Sequence, residues 1–185
     1  LPIYLQALTS AQFKALSAAQ VNGITAANIA KIQTQDLAAL TANTISALAT
    51  ATAAGLSTDQ IQALTQSQLS AMGSSQLNAL TDLTKLSTAQ LSALKGDQLA
   101  KLTSANLNSL TTAQVQSLNE TQLAGLSTAQ LSALLTDSVV ALTSTQLASL
   151  TANQLNALGA NIAKVDTQDI AAAAASVIAG LSTSA

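Results

Sequence analysis

Few residues in this chain are able to do chemistry. The acidic groups are Asp36, Asp59, Asp82, Asp97, Glu120, Asp137, Asp166 and Asp169, the basic groups are six lysines, and His, Cys and Arg are absent. Without His the commonest general base and metal ligand is missing. Without Cys there is no thiolate chemistry, disulfide framework or zinc cluster. Ser and Thr are abundant, but a hydroxyl nucleophile needs an activating base, and only Lys is available for that role. A calcium-binding repeat needs carboxylates at the same point of successive turns, whereas these eight fall at different points of the pattern described below. The closest acidic pair, Asp166 and Asp169 beside Lys164, reads as an N-cap and a first-turn acid of a helix rather than a cation site. The seven glycines form no phosphate loop. No catalytic, cofactor-binding or metal-binding residue is assigned, no cofactor is expected, and the chain is read as non-enzymatic.

Charge narrows the partners further. A formal net charge of -2 without a single guanidinium group is the opposite of a nucleic-acid footprint. Mean hydropathy is positive (+0.39), yet Ser, Thr, Gln or Asn interrupts the apolar residues every few positions. The longest weakly apolar stretch, 171–180, is too short to span a bilayer and contains Ser176, so no transmembrane segment is expected. The opening LPIYLQ shows no export signal. Aromatic residues are limited to Tyr4 and Phe13, so large rings cannot anchor the core.

What must position these side chains is a repeat. An eight-residue unit, L-[S/T]-x-x-Q-[L/I/V]-x-[A/G/S], starts at Leu8 and every eighth residue to Met72, then from Leu86 to Leu150, and again at Val165 and Ala173. Two shortened units, LTDLTK at Leu80 and LGANIAK at Leu158, interrupt the register. Over the 20 full units, position 1 is a large aliphatic in 19 and position 6 a large apolar residue in 19, so these two columns are the candidate core. Position 8 is Ala, Gly or Ser in 18, small enough to let neighbouring backbones approach.

A continuous helix advances about 100° per residue, so eight residues rotate the apolar pair by roughly 80° per unit and no single stripe forms. The helix must therefore restart in every unit. Ser or Thr at position 2 followed three residues later by Gln at position 5 is a capping box, which places position 1 at N′ and position 6 at N4, the two halves of a hydrophobic staple. The capping residues singled out are Thr9 with Gln12, Ser17 with Gln20, Ser87 with Gln90, Thr111 with Gln114 and Ser127 with Gln130. Leu86, Leu91, Leu118, Leu123, Leu126 and Leu131 are the corresponding core. The Gln series is read as caps, with an exposed hydrogen-bonding ladder for assembly as the alternative. At the N-terminus Pro2 falls at N1, where its missing N–H does no harm, with Leu5 and Ala7 at positions 6 and 8.

The predicted fold is all-α: a solenoid or superhelix of very short capped helices, one per eight-residue repeat, whose units are stable only through their neighbours. A β-solenoid is the alternative, since positions 6 and 8 alternate, but Ala, Leu and Gln favour helix and a strand has no use for a capping box. The organisation is one repeat array over 1–185, with sub-blocks 8–85 and 86–164, each closed by a shortened unit, and a partial third block 165–185. A second match, NIAKIQTQDLAAL at Asn28 and NIAKVDTQDIAAA at Asn161, has a different spacing, and both point to growth by duplication.

The string LSTAQLSAL, at both Leu86 and Leu126, resembles the LTTAQ-type octapeptide arrays of large bacterial secreted or surface proteins, often described as adhesin-like or haem-utilising. The resemblance covers essentially the whole chain and implies export and a place at the bacterial cell surface or outside the cell. It does not extend to haem, for which no His or Cys is present. The expected function is that of a structural extracellular repeat protein: part of a surface filament, adhesin stalk or surface layer that associates with itself. The alternatives are a solenoid scaffold that binds a peptide or surface glycan, and an ice-binding protein displaying regular Thr and Ala. Low charge and open solenoid ends without polar caps favour self-association.

Overall fold

The computed structural model describes residues 5–171. The position of Pro2, the apolar stretch past Ala171 and the last 14 residues of the partial third block lie outside them. Among the described residues every element is helical and no strand occurs, which rules out the β-solenoid alternative. The α-helices are four to six residues long, and each begins at position 3 of its unit. The unit 126–133 shows why. Ser127 is extended (φ -71°, ψ 156°) and caps the helix Thr128–Ser132. The N–H of Leu134, at position 1 of the next unit, then closes a tight turn on the carbonyl of Leu131 (3.2 Å). Position 1 is itself extended where it ends a helix, as at Leu64 (φ -60°, ψ 130°) and Met72 (φ -64°, ψ 140°), and this turns the chain into the next start.

The two shortened units form 3-10 helices instead, Leu83–Lys85 and Gly159–Lys164. A 3-10 helix rises more per residue than an α-helix, so a unit with one or two residues fewer still reaches the next corner. Gly159 permits this at its site by adopting φ 58°, a conformation costly for any residue with a Cβ. In the first shortened unit Asp82 caps the turn. Its carboxylate accepts from the Thr84 N–H (2.9 Å) and hydroxyl and faces Lys85 Nζ at 3.7 Å. The Thr84 hydroxyl is the main reason that the Asp82 carboxyl is held below the usual range.

The chain forms two compact units, Leu1–Leu94 and Lys95–Ala185. Within the first, each helix packs on the helix three units along: Ser10–Lys14 on Thr34–Ala39, Ala18–Asn22 on Ala42–Ser46, Ala42–Ser46 on Gln66–Ala71. The second repeats the rule, with Gly96–Leu99 on Glu120–Ala124 and Thr128–Ser132 on Ala152–Ala157. Each unit is thus a helical solenoid whose coils close after between three and four octads. Positions 1 and 6 point inward and form the core. Leu86, Leu91, Leu118, Leu123, Leu126 and Leu131 are all buried, at 5% exposure or less. Each such side chain contributes roughly 1.5–3 kcal/mol of burial.

Candidate functional site

The capping pairs are the most regular chemical feature of the fold. In each of the five singled-out pairs the hydroxyl accepts from the backbone N–H of the Gln, and the Gln Oε1 accepts from the backbone N–H of the cap residue. For Ser127 and Gln130 these distances are 3.2 and 3.0 Å, and for Thr9 and Gln12 they are 3.4 and 2.8 Å. Where position 2 lacks a suitable oxygen, the Gln half survives alone, as in Gly73 N–H to Gln76 Oε1 (2.7 Å) and Lys95 N–H to Gln98 Oε1 (2.7 Å). Replacing Ser127 by Ala should therefore cost only about 1 kcal/mol, since Gln130 keeps its own contact. Urea unfolding checks this, and a loss of several kcal/mol would contradict it.

The amide nitrogen of the same Gln does something the octad alone does not announce. Gln60 Nε2 donates to the carbonyls of Ile29 and Ile32, both at 2.7 Å. Gln68 donates to Leu37 (2.9 Å) and Leu40 (2.8 Å), and Gln76 to Ile45 (3.1 Å) and Leu48 (2.6 Å). In the second compact unit Gln130 reaches Leu99 (3.1 Å) and Leu102 (2.9 Å), and Gln146 reaches Val115 (2.8 Å) and Leu118 (2.7 Å). The acceptors lie 31 and 28 residues earlier, at position 6 of one octad and position 1 of the next. The 28-residue step spans three and a half octads and matches the coil. Gln90, whose coil contains the two-residue-shorter unit, reaches Ile61 and Leu64 at separations of 29 and 26.

One amide therefore works at both ends: Oε1 caps its own helix, and both Nε2 protons pin the coil beneath. The position-1 carbonyl is one that the tight turn leaves without a helical donor, so the pin satisfies an orphan group. These side chains are buried, Gln60 at 2% and Gln68 at 1% exposure. The ladder in the interior is thus internal and buried, which corrects the alternative of an exposed assembly ladder there. Among the described residues no buried side-chain N or O lacks a partner. A signal for the pin is present in the sequence. A capping box accepts Glu as readily as Gln, yet Glu occurs at position 5 in none of the units. Of the two, only the amide of Gln can donate to the coil below.

Departures from the octad are compensated across coils. At position 5 of unit 48–55, Thr52 replaces Gln and its hydroxyl donates to the Ile24 carbonyl (2.7 Å), 28 residues back. The shorter side chain reaches because Gly55 lies directly against the backbone of Ala26. In unit 134–141 Leu135 replaces the cap, and its N–H donates instead to Asn108 Oδ1 (3.0 Å), while Asn108 Nδ2 donates to the Ala133 carbonyl (2.8 Å). Asp36, at position 5 of unit 32–39, is buried and accepts from the Ser10 hydroxyl. Among the described residues no group of three or more carboxylates lies close enough to hold a metal, and no helix is long and apolar enough to cross a membrane.

The fold and its Gln pins define an octapeptide-repeat α-solenoid. Over residues 29–66 the chain is similar to the ALTTAQ repeat family, whose model matches that stretch, in keeping with an LTTAQ-type repeat. A comparison with curated proteins gave no match.

Proposed function

We propose that the chain is a non-catalytic structural repeat protein of the bacterial cell surface or extracellular space, a stretch of filament, stalk or surface layer that associates with itself. The observation that supports this reading most is the Gln pin. The pin recurs on equivalent carbonyls in both compact units, so the array can be lengthened octad by octad without new chemistry, as suits a part whose job is length and spacing. Electron microscopy of the purified chain at rising concentration tests it. Ordered filaments or sheets are expected. Single particles at every concentration, together with absence of the protein from extracellular and surface fractions, would sink it.

A second reading, a scaffold that binds a peptide, is favoured by one unit. Leu135, at the cap position, and Val140, at position 7 of the same unit, are large apolar side chains 57% and 45% exposed, where the other units carry polar or small residues. A saturable surface partner lost on replacing both by Ser would support it.

A further inference from the structure

We infer that the groove between the helices Thr112–Gln116 and Thr136–Val140 docks a basic peptide segment of another protein, with a lysine or arginine side chain lying along the groove and its charge on Asp137. The inference rests on the scaffold reading and adds what the scaffold takes and where. Among the described residues the octad 134–141 alone, of the octads that start from Leu40 through Leu150, has neither half of a capping box nor a position-5 side chain that bonds the coil beneath. Leu135 stands at the cap and Ser138 where Gln would pin, and the start of the helix is held from outside by Asn108. Binding elements are drawn from the less stable parts of a fold, and local rules are broken where function requires it. In the same octad position 7 carries the exposed Val140.

Val140 and Ala141 line, together with Thr112, Gln116 and Asp137, a groove of about 320 Å³. That set suits a long basic side chain. Its methylenes lie on the two apolar residues, and its cation meets the carboxylate, with the Gln116 Oε1 and the Thr112 hydroxyl as further acceptors. Asp137 is exposed and, among the described residues, has no ion pair, so its charge is available to a ligand. The surrounding charge has the same sign, since the second compact unit holds three lysines against five acidic residues. A positive partner is therefore steered to this groove, and a neutral or acidic one leaves the carboxylate desolvated without a counter-charge. Two copies of the groove face to face would set Asp137 against Asp137, so charge selects against a symmetric self-contact.

The test is nuclear magnetic resonance of the full chain, kept below the concentration at which it assembles, titrated with capped alanine peptides that carry a central lysine, arginine or uncharged norleucine. The lysine and arginine peptides are expected to shift the amide signals of Thr112, Gln116 and residues 137–141, and to bind about fivefold more tightly than the norleucine peptide, the size of a well-placed exposed ion pair. Asp137→Asn should abolish that preference without disturbing the fold, whereas Asp59→Asn, an exposed carboxylate in the first compact unit, should leave it intact. Equal binding of the norleucine peptide, a preference that survives Asp137→Asn, or shifts spread over the other carboxylates overturns the groove assignment. So does assembly lost in Asp137→Asn with no peptide bound, which would make a lysine of a second copy the occupant. If the groove fails but a surface partner is still lost on replacing Leu135 and Val140 by Ser, the scaffold reading stands. If that partner is absent too, both fall.

Discussion

Gln68→Glu should lower stability by about 3 kcal/mol or more at neutral pH, the cost of an uncompensated buried charge, although it changes one terminal group and leaves the cap intact. Gln68 is 1% exposed, accepts from Thr65 N–H at 2.8 Å and donates to Leu37 and Leu40 at 2.9 and 2.8 Å. A carboxylate in its place still caps, but it sets a buried negative charge against two carbonyl oxygens and leaves the Leu40 carbonyl without its donor. The pH dependence follows with a definite sign. Burial beside carbonyls raises the folded-state pKa of this Glu above its unfolded value, so the protonated form is favoured by folding. The deficit is full at neutral pH and shrinks as pH falls through the folded-state pKa. Urea unfolding at pH 7 and pH 4 reads both effects. The same substitution at the exposed Gln20, where only capping is at stake, should cost a few tenths of a kcal/mol. Equal losses at the two sites would mean that capping alone explains the Gln column.

Gly55→Ala is expected to destabilise by about 2 to 3 kcal/mol, in the range of overpacked cores. A Cβ on Gly55 would lie 2.6 Å from the Ala26 carbonyl oxygen and 2.8 Å from its Cα and Cβ. These are backbone and first side-chain atoms, which cannot swing aside, so the helix Thr50–Ala53 must lift from Ala26–Ile29. The Thr52 hydroxyl would then lose the Ile24 carbonyl, and two adjacent contacts would fail together. The comparison is Gly23→Ala, at the same position of its octad. There a Cβ meets no atom nearer than 3.4 Å and the backbone is already in the right-handed region (φ -77°, ψ -4°). That change should be neutral or add about 0.4–1 kcal/mol by restricting the unfolded chain. Calorimetry of the two variants decides it. A shared sign would show that position 8 acts through helix propensity and not through close approach.

These two sites mark how far the sequence reaches. Ser127 with Gln130 as a cap pair, Leu126 with Leu131 as a staple, and the restart of the helix every eight residues were all legible, because each depends on groups three to five residues apart. Such contacts are written inside one octad. The small residue at position 8 was also legible as a class, but that Gly55 is clamped while Gly23 is not depends on what lies opposite.

The identity of the opposite residue is what only the tertiary structure decided. Every octad presents nearly the same surface, so its letters cannot say whether it will meet the unit two, three or four places away. That is set by the corner angle at each position-1 residue, summed over a coil, and a small change in the angle moves the partner by a whole unit. The sum here places Gln60 over Ile29 and Ile32 and Thr52 over Ile24. It turns a capping residue into an inter-coil pin. The sequence determined the helix, its cap and its core by local hydrogen bonding and apolar spacing. The coil pitch, an accumulated geometry with no residue of its own, determined which backbone each Gln amide meets.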